Sequence, residues 1–471
     1  MHDIDALIIG GGISGLSTAW WLAQGGLSVD VWEAAARPGG KIQSDQQDGY
    51  LTDQAASLLM NFRPEVADMV RLAGLEAKKT ARAPAAEDNR YLVHQGRLVS
   101  LPMRLGGLAR SPLWSWSGKL RLLLEPFIPA DGHEGETVSE FITRRLGREM
   151  LDKAMDAFVA GTLAADPDYA NAAATLPRLT ALERRYGSLA AGVFMHRVLR
   201  RRTACRAETF SFQGGMGTLI DTLSGSPGVH LRSRYAVAEL APARRGWRVS
   251  AATPLGERSV TARHVVMATP APVAARLIAP LDEDIAGLLQ TIQYAPLAVV
   301  HLGMDRSGVG NPLDGAGFLV PGCEGLPLNG SQWMSTLFGE RAPAGKVLLT
   351  NYLGGARRPE AVEWSDEHLI GETLAALRPL IDAHADPEMV RIHRHHEGLP
   401  LYYGAYPALE REIASIAQRH PGLYLEANYL GGVSVRDRIV RGRALARRIL
   451  VQERDVYAAR STLVLPLIAG S

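Results

Sequence analysis

The chain predicts an α/β protein: a discontinuous, two-dinucleotide-binding (Rossmann-like) domain, a mixed-sheet domain and a helical insertion. Three observations carry that reading. Gly10-Gly11-Gly12-Ile13-Ser14-Gly15 follows the apolar run Ala6-Leu7-Ile8-Ile9, and Glu33 closes the next strand. Strand and helix patterns of the same kind return after residue 212 and again after residue 405. Between these pieces lie one stretch rich in Leu, Ala and Arg at helical spacing and one of β-branched runs broken by Gly-Pro turns.

Ile4 to Ile9 reads as a short strand buried on both faces, Leu16 to Leu22 as a helix, and Gly25-Gly26 as its stop. Ser28 to Glu33 alternates into a second strand. In this unit Gly10 permits the tight turn, Gly12 lets the backbone approach a pyrophosphate, and Gly15 allows close packing of helix on strand. The helix start, with Gly11, Ile13 and Ser14, offers N–H groups to the phosphates. Glu33, followed by Ala34, stands where a carboxylate accepts from both ribose hydroxyls.

The residues after Glu33 separate FAD from NAD. Arg37-Pro38-Gly39-Gly40-Lys41 resembles the E-x(3)-R-x-G-G segment of flavin-dependent amine oxidases and their relatives, in which the chain folds back beside the pyrophosphate. That places Arg37, Gly40 and Lys41 at the cofactor. Asp53-Gln54-Ala55-Ala56-Ser57 is similar to the segment that lines the flavin ring in that superfamily, so Gln54, Ala55, Ala56 and Ser57 are expected at the flavin. Gln54 departs from the pattern, where relatives usually carry Gly.

Further along, Phe212 to Gly217 reads as a glycine turn opening a helix over Leu219 to Leu223. Val229 to Val237, Trp247 to Ala251 and His264 to Pro270 read as strands, with Val237 expected at the cofactor. Gly422 to Ala427 is the last strand and Val433 to Leu450 a long final helix. The expected boundaries are 1–80, 212–295 and 405–455 for the FAD domain, and 81–104 with 296–404 for a substrate-binding sheet. Residues 105–211 form the helical unit, and 456–471 a tail that is either an ordered edge or a remnant.

The 471 residues suggest two or three interwoven domains. A net charge of +2 with 21% charged residues removes any global attraction to nucleic acid. Two cysteines, Cys205 and Cys323, lie far apart without CxxC spacing, which argues against a disulfide or thiolate zinc site. No signal-peptide pattern precedes the first strand, and no apolar window reaches about 18 residues. A cytoplasmic protein is expected, free or resting peripherally on the cytoplasmic membrane face.

Beyond the superfamily, an ordered set of segments over about residues 5–450 resembles the oxygen-dependent protoporphyrinogen oxidases. Asn89-Arg90-Tyr91-Leu92-Val93 with Gly96-Arg97-Leu98 and Leu101-Pro102 is one such segment. Phe158-Val159-Ala160-Gly161 with Ala165-Asp166-Pro167 is another. Gly315 to Pro321, Ser335 to Phe338 with Arg341-Ala342-Pro343, and Asn351 to Gly355 follow in order. Pro421 to Tyr424 and Gly431-Gly432-Val433-Ser434-Val435 resemble the family's flavin-capping end, so Gly432, Val433, Ser434 and Val435 are expected at FAD. Glu426-Ala427-Asn428 replaces the usual A-G-N, adding a carboxylate there.

The resemblance implies FAD as cofactor and protoporphyrinogen IX oxidised to protoporphyrin IX, with dioxygen as acceptor and hydrogen peroxide as product. Gly161, Leu319, Met334 and Tyr352 follow the family's pocket-lining positions. Arg90 is the candidate partner of a substrate propionate, because a guanidinium fork matches a carboxylate at two points. No motif supplies a catalytic acid–base pair, which suits catalysis by orientation over the flavin.

Coproporphyrinogen III is the alternative substrate. An amine oxidase fits less well, because no lysine occurs from Ala271 through Gly345, and Arg90 speaks against a polyene hydrocarbon. His393, His395 and His396 alternate faces of a strand without a carboxylate partner, so no metal is expected. Arg197, Arg200, Arg201, Arg202 and Arg206 read as a solvated face. Trp114 and Trp116, beside Lys119 and Arg121, read as a buried helix or a membrane interface. A homodimer is compatible with all of this.

Overall fold

The structure is a computed structural model that describes residues 4–102, 105–198 and 207–464. Its first seven-stranded sheet runs Val229–Ser233, Val29–Glu33, Ile4–Ile9, Gly256–Met267, Gly246–Thr253 and Ala236–Ala243, with Leu423–Leu425 branching from Gly256–Met267. The long strand Gly256–Met267 makes two kinds of sheet. Its first half pairs antiparallel with Gly246–Thr253 (Thr253 opposite Gly256), and its second half pairs parallel with Ile4–Ile9 (Ala6 opposite His264). Met267 also lies opposite Leu425.

Alternation of side chains buries both faces of the parallel part. Ala6 and Ile8 face a core with Leu16, Trp20, Ile439 and Ile449, while Leu7 and Ile9 face Ala274, Ala275 and Ile278. Helix Ile13–Gln24 thereby lies against the final helix, so closely that a Cβ on Gly442 would sit 2.7 Å from the Ser17 Oγ. A doubly covered parallel sheet of this kind leaves its ligand crevice at the carboxyl ends of the strands, where Gly10 and Glu33 stand.

Several boundaries differ from the sequence reading: the strand expected over His264 to Pro270 is Gly256–Met267, and two further differences bear on the site. Val229 to Val237 is two strands, because the chain turns at Arg234 (φ 62°). Arg234 and Tyr235 donate their N–H groups to the carbonyls of Ala35 and Glu33, which carries the chain out of the parallel sheet and into the antiparallel one. The final helix is Val435–Val464, so Val433 and Ser434 belong to the turn before it. Ser434 caps that helix by accepting the Asp437 N–H. The remainder of the expected tail, 465–471, lies outside the described residues.

The second seven-stranded sheet runs Met389–Pro400, Tyr294–Asp305, Lys346–Gly354, Leu328–Trp333, Gly317–Leu319, Tyr91–His94 and Arg97–Ser100. Its pairs are antiparallel except Gly317–Leu319 with Tyr91–His94. One face packs on helix Asp366–Ile381 through Val300, Leu302, Leu349 and Leu377. On the other, Leu319, Gly330, Tyr352, Val299 and His393 follow one another across the strands. A small sheet of Leu59–Asn61, Glu208–Phe212 and Lys79–Ala81 ties the helical stretch back to the first third of the chain.

That helical stretch is built from ordinary stop and start signals. Thr137 and Glu140 form a reciprocal cap at the start of Val138–Leu146, whose Val138, Phe141 and Ile142 fill a core with Leu151, Val159 and Leu189. The same core takes in Ala295 and Leu401, which fixes the helical unit against the end of the second sheet. Among the described residues no helix is long and apolar enough to cross a membrane.

Candidate active site

The glycine loop is shaped as its spacing demands. Gly10 (φ 106°) holds a backbone conformation that favours glycine, and a Cβ there would lie 2.9 Å from the Ala268 carbonyl oxygen. A Cβ on Gly15 would collide with the Gly10 carbonyl, so only glycine lets the helix approach this strand. Gly12 differs: a Cβ would meet nothing within 4 Å. Open space thus faces the start of helix Ile13–Gln24, where no side chain caps the N–H groups.

Glu33 uses one carboxylate oxygen to accept the Gly11 N–H (2.7 Å) and the other to accept the Ala35 N–H (2.8 Å). Each oxygen keeps a further acceptor direction. Ala34 follows, and Val237 is buried two residues beyond Tyr235, whose N–H bonds the Glu33 carbonyl. The chain after Glu33 does fold back: Gly39 donates to the Gly11 carbonyl (2.7 Å), and Gly40 (φ 56°) lies beside Gly12. Lys41, half-buried, holds its ammonium 5.9 Å from the Tyr294 ring centroid and has no ion pair among the described residues. Burial pulls its pKa below the ordinary lysine range and pushes the Tyr294 hydroxyl up to about 12. Arg37 instead extends outward toward Asp45. An open glycine turn and uncapped helix N–H groups together suit a pyrophosphate, with Lys41, whose charge Glu397 partly offsets, on the same segment, so the residues fit FAD.

The segment Asp53–Ser57 joins the two sheets. Asp53 and Arg341 form an ion pair (2.8 Å) with both side chains 1% exposed. Asp53 also accepts from the Ser44 hydroxyl and the Met216 N–H, and Arg341 donates to the Ser211 hydroxyl. Gln54 turns its side chain away, donating to Asp45, while its carbonyl lies 2.9 Å from the His395 ring nitrogen. Ala55 and Ala56 are half-buried between these anchors. Ser57 and Tyr352 both donate to the Gln332 amide oxygen, at 2.9 and 3.0 Å. Gln332 was not singled out by sequence reasoning, and Arg341 and His395 were noted there only within a family-like segment and a histidine run, without these partners. Each meets a partner far along the chain, and no local pattern announces that pairing.

Before the last helix, Gly431 (φ 69°) and Gly432 (φ 105°) are backed by Arg441 and Asp437. Val433 is half-buried and Val435 buried. The unusual Glu426 is buried and bonded to Arg438 (3.0 Å) and Arg441 (3.3 Å). Arg438 also donates to the carbonyls of Ala427 and Leu430, so the added carboxylate balances a guanidinium that clamps this turn. Tyr402 and Tyr406 hold it from the other side through the carbonyls of Asn428 and Tyr429.

Of the expected substrate residues, three are brought together. A Cβ on Gly161 would run into the Leu319 side chain, and Leu319 shares its sheet face with Tyr352. Arg90 stands two residues before Leu92, the register partner of Leu319. Its guanidinium makes no ion pair among the described residues; burial and the like charge of Arg82 lower its pKa. Met334 lies apart, buried with Tyr50, Leu337 and Phe338.

The histidines divide. His395 meets the Gln54 carbonyl and His393 packs against His301. His396 has a carboxylate partner after all, Glu363 at 3.1 Å, because the loop before helix Asp366–Ile381 crosses that edge. Arg200, Arg201, Arg202 and Arg206 lie outside the described residues.

The sequence profile of the flavin containing amine oxidoreductases matches residues 13–450. The chain is 31% identical to the mitochondrial protoporphyrinogen oxidase of Nicotiana tabacum over 462 residues, covering 91% of each chain. It is 25% identical to a coproporphyrinogen III oxidase of Bacillus subtilis, covering 93% of this chain and 96% of that one. A crystal structure from Exiguobacterium sp. 255-15 superposes with a TM-score of 0.80 at 21% identity, covering 96% of this chain and 100% of that one. The chain therefore belongs to the flavin containing amine oxidoreductase family, and the protein is an FAD-dependent oxidase. Within that family its place is among the protoporphyrinogen oxidases.

Proposed function

We propose that the protein oxidises protoporphyrinogen IX to protoporphyrin IX, with dioxygen as terminal acceptor and hydrogen peroxide as product. The observation that carries this reading is Arg90, an exposed cation with no ion pair among the described residues, two residues before the register partner of Leu319. An apolar macrocycle bearing propionates needs that combination of surfaces. Bound FAD supplies the two-electron acceptor for each oxidation.

The protein's own part is placement. Arg90 anchors a propionate, and Leu319 with Gly161 and Tyr352 sets the macrocycle's depth. The Ser57–Gln332–Tyr352 contacts keep that wall rigid. Each cycle removes one hydride from a meso carbon and one proton; with imine–enamine tautomerisation between cycles, the six hydrogens lost are four from meso carbons and two from pyrrole nitrogens. Three cycles thus remove six electrons, consume three dioxygen molecules and release three peroxides.

The test is anaerobic mixing of the FAD-loaded protein with protoporphyrinogen IX, coproporphyrinogen III or an aliphatic amine, followed by aeration. Bleaching by a porphyrinogen, then porphyrin fluorescence with about three peroxides per porphyrin, is expected from the electron count. Bleaching by the amine alone, or a peroxide yield near one, overturns the reading. Faster bleaching by coproporphyrinogen III moves the assignment to that substrate, a choice supported by likeness to the Bacillus subtilis enzyme.

A peripheral membrane contact belongs to the same proposal. Trp114 is buried, but Trp116 is 79%, Leu123 71% and Phe127 81% exposed, along helix Trp116–Leu123 and the turn after it. Phe194 of helix Leu189–Val198 is exposed as well. Large apolar side chains at helical spacing, with Lys119 over the Trp116 ring, have the composition of an interfacial helix.

A further inference from the structure

Behind the Gly431–Gly432 turn lies a cavity of about 370 Å³ that holds none of the substrate or cofactor residues except Gly432. Four arginines, Arg63, Arg178, Arg436 and Arg441, line it against two carboxylates, Glu410 and Asp437. Phe62 lies among them, with two guanidinium groups over its ring. The Arg178 guanidinium carbon lies 3.7 Å and that of Arg436 4.2 Å from the ring centroid.

The other three arginines have partners. Arg63 is bonded to Glu65, Arg436 to Asp437 and the Met60 carbonyl, and Arg441 to Glu426. Arg178 has only the ring; among the described residues it makes no hydrogen bond and no ion pair. Burial and the like charge of Arg436 lower its pKa, and Asp437 offsets part of that effect.

We propose that this cavity is an anion site, taking a phosphate- or carboxylate-class ligand of two or more negative charges between Arg178 and Arg436. Two guanidinium groups held against one ring, both lining the cavity, can present their forks to the same ligand. Occupancy is transmitted to the flavin-capping turn, because Asp437, which holds Arg436, backs Gly432, and Arg441 backs Gly431. An anion that draws Arg436 from Asp437 therefore alters the support of both glycines.

The experiment uses the full, FAD-loaded chain, titrated calorimetrically with inorganic phosphate and with citrate while sodium chloride holds ionic strength constant. Saturable binding with a dissociation constant at or below about 1 mM is expected. R178Q and R436Q should each weaken it about tenfold or more, and R178K should recover part of the loss. FAD content is measured first, since Arg178 touches no expected cofactor residue and its loss should leave the protein yellow. Heat without saturation, or an unchanged affinity in R178Q, overturns the site. A phosphate-dependent change in the visible flavin spectrum, saturating with the calorimetric curve, supports the transmission to the turn. Binding with no such change overturns that part. Preference for phosphate or for citrate identifies the class of ligand.

Discussion

Arg90→Ala should separate substrate binding from folding more cleanly than any other substitution in this chain. Most buried or half-buried arginines here hold a carboxylate, so their removal strands a charge; Arg341 and Arg438 are examples. Arg90 is exposed and makes no ion pair among the described residues, so its removal strands no described carboxylate and relieves repulsion from Arg82. Stability should therefore be unchanged or slightly raised. In the complex, one charge-assisted contact to a propionate contributes about 1.5–3 kcal/mol, roughly a tenfold to hundredfold loss in kcat/KM. The loss should appear mainly in KM, since the propionate is remote from the carbon that yields hydride. Arg90→Lys should recover only part, because an ammonium cannot reproduce two-point geometry. The assay is steady-state porphyrin fluorescence with coupled peroxide detection, with FAD content and thermal midpoint measured on each variant. Unchanged kinetics in Arg90→Ala, or a fall in the thermal midpoint that explains the loss, would refute the assignment of Arg90 to an anionic substrate.

Gly12→Val should abolish FAD retention while the apoprotein keeps its helical circular dichroism, because the added side chain fills the open space before the helix without meeting protein; retention of the yellow colour would be the contrary result. R341M should lower the thermal midpoint by the equivalent of about 3–5 kcal/mol, since it leaves Asp53 buried without its ion-pair partner, and D53N/R341M should recover part of it. Acid precipitation should release all FAD to the supernatant, although His395 lies against the Gln54 carbonyl of the flavin segment; flavin left in the pellet, absent from an H395A control, would identify a covalent link. The triple variant W116E/L123E/F127E should lose flotation with anionic vesicles at unchanged FAD content, and equal flotation would return this face to ordinary solvent exposure.

The features legible in the sequence share a short range. Gly10, Gly12 and Gly15 impose their geometry within one turn, and the alternation of Ala6 to Ile9 assigns residues to the two buried faces. The fold class and cofactor follow from such local patterns, as did the approach of Gly39 and Gly40 to the glycine loop, although Arg37 points outward toward Asp45. Tertiary structure decided what depends on partners distant in the chain. The break at Arg234 is set by carbonyls of Glu33 and Ala35, which offer an edge that no pattern near Arg234 announces. Asp53 reads as part of a flavin motif, yet its charge is held by Arg341 from the second sheet. Glu426 reads as an extra carboxylate at the flavin, but Arg438 and Arg441 one helical turn apart neutralise it. A buried charge is tolerated only beside its partner, and which partner arrives is a property of the packed fold rather than of neighbouring residues.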